Sequence, residues 1–478
     1  MSERPPGASS GARILGWVWW GFWLAVLLAQ IGFVLASRHV ASQLARKRAA
    51  LARSGVVLSI GSLVPRVAPG AANAAELYRR AFAQLALSPS QRRLILGTQD
   101  FLHWSPPKPP ADWTPSDWQS IKQALAANPE YLRLVEKAAH LRNCAFPVRW
   151  HRGCRTDQQD LPSLLAAGLM LRARASMLAR EGNAEGALEE AGLLLRMADH
   201  AQAEPALISQ HTGYCLQEMA VGVIESALAQ GGGQAATLRC LLDQLHRPHL
   251  VSRSRRALQG EAAIYDLPCF ASRAQQPALA CPEQPRRPWA ARLFPGLASA
   301  LDELGYLTAL DRVYRAFSLP WAAAEAQARS ADAQVRNLPD WRGWLTKRVM
   351  PPMLPELLHR QQTMARLATA AVGVAACLHW QEQARYPRSL AELARVLPDP
   401  PRDPFTGKAL RYLSRETGFL VYSLGPDGKD DGGRAPSGQL LRGLLRDAPP
   451  DPARRYDLAF VCSHEPGGRA PSSSTSSK

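Results

Sequence analysis

The sequence predicts a mainly α-helical protein, tied to a membrane at its N-terminus and closed by a small α+β module. Three observations predict this. One uncharged apolar run extends from Ile14 to Ala36. Apolar residues recur at helical spacing through long stretches between residues 73 and 385. Short strand-like apolar runs appear only after residue 409. Of 478 residues, 46% are hydrophobic and 20% charged, enough to build a large core. The net charge is +17, but the basic residues are scattered through helical stretches. No zinc-finger, cold-shock or RNA-recognition pattern accompanies them, so nucleic acid is not an expected partner. An anionic surface such as a bilayer suits that charge better.

Residues 1–13 read as a polar leader. The run from 14 to 36 (ILGWVWWGFWLAVLLAQIGFVLA) is long enough to cross a hydrocarbon core as a helix. Trp17, Trp19, Trp20 and Trp23 gather at one end, as an interfacial belt does. The run is longer than the apolar part of a signal peptide, and no A-x-A site precedes Arg38. An uncleaved single-span anchor is therefore expected, with the lipid bilayer as a partner. Residues 37–72 continue it as a basic helix to Arg53, then an extended linker from Ser54 to Gly70. The positive residues after the span favour a cytoplasmic body, but long domains cross membranes regardless of such charge.

A helical domain is expected over 73–350. Asn73 caps its first helix, which carries Leu77, Tyr78, Ala81, Phe82 and Leu85 on one face. Thr114-Pro115-Ser116-Asp117 starts another, running on through IKQALAANPEYLRLVEKAAHL. The clearest block spans Leu161 to Leu228: a helix, a turn at Glu181-Gly182-Asn183, a second helix, and a third from Pro205 to Ala229. Small residues at Ala173, Ala187 and Ala191 allow close helix approach. This hairpin is similar to a tetratricopeptide unit, without a repeating 34-residue period. Five prolines between residues 253 and 295 suggest a surface excursion. Helices resume over 297–333 and again from about Pro355 to Arg385.

The last module, 355–465, opens on that long helix. Ser389 is placed to cap a short helix ending before Pro398, and Asp403 to Lys408 forms a turn. Leu410–Leu413 and Phe419–Leu424 pair as a hairpin, and Tyr456–Val461 supplies a third strand. After the second strand comes Tyr422-Ser423-Leu424-Gly425-Pro426-Asp427-Gly428-Lys429-Asp430-Asp431-Gly432-Gly433. Three carboxylates within five residues either hold a cation or pin a turn through Asx hydrogen bonds. Residues 466–478 read as a disordered tail.

Eight cysteines are present. Cys144 with Cys154, and Cys269 with Cys281, flank short loops that a disulfide can close. Cys215, Cys240 and Cys377 lie in helical patterns and read as small buried hydrophobes. No CxxC pair, phosphate-binding loop, G-x-S-x-G elbow or H-E-x-x-H occurs. His246 and His249 are split by Pro248, His379 reads as a core residue, and the adjacent Glu189 and Glu190 point to different helix faces.

Arg385-Tyr386-Pro387, Asp403-Pro404-Phe405-Thr406-Gly407 and the Tyr422–Gly428 loop together resemble the globular domain of the type II secretion major pseudopilin. The likeness covers roughly residues 360–433. It implies a long helix, a small antiparallel sheet and a calcium-binding loop. Carried residue by residue, it assigns Asp427 as a ligand, with the carbonyls of Ser423 and Leu424. Asp430 and Asp431 supply further oxygens. The prepilin-peptidase site of that family is missing here. The whole layout also resembles uncharacterised membrane-anchored proteins of Planctomycetes-type bacteria. The pseudopilin likeness implies an extracytoplasmic body. With no catalytic constellation in the sequence, the expected function is a non-enzymatic envelope scaffold or interaction protein with a protein partner. The alternative is an accessory component of a type II secretion or pilus-like assembly.

Overall fold

The structure, a computed structural model, describes residues 10–97, 107–246, 249–270, 292–415, 417–433 and 457–463. Within them the chain is mainly helical, with one three-stranded antiparallel sheet near the C-terminus. A single helix, α1 (Ser10–Arg53), carries both the apolar run and its basic continuation. It is long and apolar enough to cross a membrane. Its large apolar side chains from Trp17 to Leu35 are exposed, as a lipid-facing helix requires. The basic end turns onto the body instead. Leu51 is fully buried, Lys47 Nζ lies 2.7 Å from Asp311, and Arg48 pairs with Glu303. Phe33 meets Phe294 at 5.1 Å between ring centres. A short helix, α2 (Ile60–Leu63), interrupts the stretch expected to be extended.

Local signals set the next boundaries. Asn73 Oδ1 accepts the Ala75 amide and starts α3 (Ala74–Phe82). That helix stops short of Leu85, because Ser88 and Gln91 form a capping box that starts α4 (Pro89–Leu96). Thr114 and Asp117 form another for α5 (Pro115–Ala126). The single helix expected there is two. Pro129 has no amide to extend α5 and opens α6 (Pro129–His140) instead. Buried Asn128 fills the break, exchanging two 2.8 Å hydrogen bonds with the Ala86 backbone.

The three central helices match expectation: α7 (Asp160–Arg180), α8 (Ala184–Gln202) and α9 (Leu207–Leu228). Gly182 takes a positive φ of 81° in the α7–α8 turn, and Asn183 caps α8. Ala173, Ala187 and Ala191 are buried between helices. Next come α10 (Ala235–Leu245) and α11 (Leu250–Gly260), which runs into one turn of π-helix at Glu261–Asp266. The surface excursion expected from residue 253 is thus corrected at its start. Ala257, Leu258, Ala262, Ile264 and Phe270 are all buried. The prolines that suggested otherwise lie mostly at 277–288, outside the described residues.

Five helices follow: α12 (Pro295–Ala316), α13 (Trp321–Arg336), α14 (Asp340–Gly343), α15 (Thr346–Val349) and α16 (Met353–Gln383). Asp302 fixes the α14–α15 junction by accepting the amides of Leu345 and Thr346. The 31-residue α16 joins two cores. Leu357 and Ala365 pack with α12 and α13, while Leu367 to Leu378 pack with α7–α9 and the sheet. A 3₁₀ turn at Leu390–Arg395 replaces the expected short helix, and the Ser389 side chain does not cap it. The strands are β1 (Arg411–Arg415), β2 (Gly418–Ser423) and β3 (Leu458–Ser463), ordered β1-β2-β3 and all antiparallel.

Two cysteine expectations change. Cys144 carries a free thiol, while the Cys154 side chain and Cys281, the expected partner of Cys269, lie outside the described residues. Cys240 is exposed rather than buried. The leader's first nine residues and the tail at 466–478 also lie outside the described residues.

Candidate functional site

The turn before β1 organises the acidic loop after β2. Asp403 is 1% exposed and uses both oxygens. Oδ1 accepts Ser423 Oγ at 2.7 Å and the Phe405 amide at 3.0 Å. Oδ2 accepts the Leu424 amide at 3.1 Å and Thr406 Oγ at 3.0 Å. Ser423 and Leu424 are thereby fixed where the loop leaves β2. Trp321 of α13 packs edge-on to Phe405, 5.3 Å between ring centres, and anchors the turn to the helical body.

The expected ligands then divide. Asp427 Oδ1 accepts the Lys429 amide at 3.2 Å, an Asx turn. Asp430 accepts the Tyr422 hydroxyl at 2.9 Å and lies 3.2 Å from Arg411 Nε. The Tyr422 hydrogen bond holds its carboxyl below the usual range, helped by the Gly432 amide and Arg411. Asp431 is held by its backbone, whose amide donates to Asp457 Oδ2 at 3.0 Å; the Gly433 amide donates to the same atom at 2.7 Å. Asp457, just before β3, was not among the expected ligands. Burial pushes its carboxyl up against those two amide bonds, and Asp430 and Asp431 add to the rise.

Three buried carboxylate oxygens at this site have no hydrogen-bond partner among the described residues: Asp427 Oδ2 and Asp431 Oδ2 in the loop, and Asp457 Oδ1 before β3. Oxygen donors of net negative charge suit a hard cation such as calcium. As arranged, no group of three or more acidic, imidazole or thiol side chains among the described residues stands ready to hold a metal.

A second cluster lies inside the body, where α9, the π-turn and α16 meet. His211 Nε2 bonds Glu356, and the His359 ring stands edge-on to His211 and Tyr214, at 5.2 and 4.8 Å. The Tyr214 hydroxyl shares a 2.8 Å hydrogen bond with Ser254. Glu261, on the π-turn, accepts the Leu207 amide at the start of α9. Burial opposes a charge on His211, but Glu356 outweighs it and raises the imidazole's pKa. Burial and the neighbouring His211 push His359 well down. The arrangement favours a charge on His211, against Glu356, over one on His359. Burial also raises Glu261 to about 7 and nearby Glu204 to about 8. The sequence does carry one trace of this cluster. Glu356 and His359 stand three apart on one face, followed by Arg360, Gln361, Gln362 and Thr363, all buried. Of the histidines weighed from sequence, His379 is buried as expected, 3.8 Å from Glu392.

Compared with known proteins, the chain matches no family model, no curated protein and no solved structure.

Proposed function

We propose that the chain is a non-enzymatic scaffold of the cell envelope, held in the membrane by residues 14–36. Its helical body offers surface to a protein partner on the extracytoplasmic side. Its C-terminal loop binds calcium through Asp427, Asp431 and Asp457, with backbone carbonyls at Ser423 and Leu424 and with Asp430 beside them. The observation that carries this reading is α1. Its apolar side chains are bare from Trp17 to Leu35, yet its basic end is fixed to α12 by Leu51, Lys47 and Arg48. A helix exposed to solvent over that area would be costly in water and favourable in lipid. Calcium, when bound, would neutralise the loop carboxylates and cross-brace the ends of β2 and β3.

Membrane fractionation tests the anchor. The full-length chain should stay with the membrane through an alkaline carbonate wash, and a variant starting at Ser37 should not. Release of the full chain by carbonate would end the proposal. Protease protection of the C-terminus then gives the side. The alternative, an accessory component of a type II secretion or pilus-like assembly, draws on the helix-then-sheet order of residues 353–463. Co-purification with a pseudopilin would favour it.

A further inference from the structure

Strand β3 lies along α16, and the two keep step. Gly373 leaves room for the Phe460 ring; a Cβ there would come within 2.4 Å of it. Four residues along the helix is Cys377, and two along the strand is Cys462. Four helical residues advance roughly 6 Å and two strand residues roughly 6.6 Å, so the close approach recurs at the cysteines. There the two thiols, both free in the structure, lie close enough to shift each other's acidity, Cys377 upward and Cys462 downward. Cys462 in turn donates to the Leu228 carbonyl of α9 at 3.5 Å. Both cysteines are buried, 7% and 1% exposed, within one apolar core. No metal-holding group of side chains surrounds them among the described residues.

We propose that Cys377 and Cys462 are an oxidation site, joined as a disulfide that staples the sheet to the central helix. The co-reactant is a small-molecule or protein disulfide. One cysteine thiolate attacks its S–S bond, forming a mixed disulfide and releasing the first thiol. The other cysteine then attacks the cysteine sulfur of that mixed disulfide. The Cys377–Cys462 bond forms, the mixed bond breaks, and a second thiol leaves. The protein pair loses two electrons and two protons, and the oxidant ends as two thiols. Because both sulfurs are sealed in the folded core, exchange takes place as β3 comes up to α16. The bond closes a loop of about 85 residues, long enough for a large restriction of the unfolded chain.

The test uses the full chain in detergent. It is reduced, unfolded in urea, and returned to native buffer with glutathione disulfide; remaining thiols are then alkylated. Peptide mapping without reductant should find Cys377 linked to Cys462, with Cys215 alkylated. The melting midpoint should rise by roughly 5 °C over the reduced protein, and C377S and C462S should each abolish that rise. Alkylation of both Cys377 and Cys462, or linkage of either to a different cysteine, would overturn the proposal. The mapping uses only the wild-type chain, so a variant that fails to fold does not weaken it. Loss of membrane anchoring would leave this result untouched, so the two proposals fail separately.

Discussion

The acidic loop after β2 and the imidazole–carboxylate cluster between α9 and α16 are both dense in ionisable groups, but they are built in opposite ways. The loop is local. Asp427, Asp430 and Asp431 lie within five residues; Asp427 and Asp430 each accept a backbone amide two positions on, while Asp427 Oδ2 and Asp431 Oδ2 have no partner among the described residues. The interior cluster is assembled from residues far apart in the chain, joined by the His211–Glu356 pair and the Glu261 bond to the Leu207 amide, and among the described residues it leaves Glu356 Oε1 and His359 Nε2 without a hydrogen-bond partner. A loop of the first kind gains from an added cation. The second cluster already sets one cationic partner, His211, against Glu356, so an added cation has less to gain there.

Removing one partner from the interior should produce the largest effect. Glu356→Ala leaves the half-exposed His211 without its carboxylate, and stability should fall by about 2 kcal/mol in denaturant unfolding of the full chain. A loss under about 1 kcal/mol would mean the pair is no more integrated than the loop. The next effect is a pH dependence. Glu204 is raised to about 8 by burial. A carboxyl with a raised folded pKa favours folding below its unfolded value near 4.3, and that contribution is lost as pH climbs toward 8. Glu204→Gln should therefore gain on the order of 2 kcal/mol over wild type at pH 8 and nothing at pH 4. A pH-independent difference would show that burial of the charge is not the cause.

Smaller effects belong to the loop. Calcium should raise the melting midpoint of the full chain by a few degrees relative to chelator, and Asp457→Ala should remove that rise. Without calcium the same variant should cost about 1 kcal/mol, since it strips the acceptor from the Asp431 and Gly433 amides. Absence of a calcium shift in wild type would remove the metal and leave the loop a plain turn. Arg411→Ala, at an exposed ion pair with Asp430, should change stability by less than about 0.5 kcal/mol.

The same contrast explains what the sequence made legible. Asn73, the Thr114–Asp117 box, the Gly182-Asn183 turn and the three strands announce themselves within a few residues, because caps and turns are short-range chemistry. The loop aspartates were visible for that reason. Asp457 was not, because it comes from the far side of a long connection. His211, Glu261 and Glu356 stayed hidden because only packing brings their helices together. The buried helix at 250–270 was misjudged as surface, since prolines further along were allowed to speak for it. Cys377 and Cys462 are separated by a helix end and a whole sheet, and no spacing rule joins them.

One feature of α1 carries a mechanical consequence. The helix has no break between its exposed apolar stretch and the turn where Leu51 is clamped against α12. From Arg38 to Arg53 that stem is roughly 22 Å of uninterrupted rod. In a bilayer, the large domain would ride on a stiff mast rather than a slack leash. Its height and heading would follow the tilt of the rod, and any pull on the domain would reach the lipid as torque.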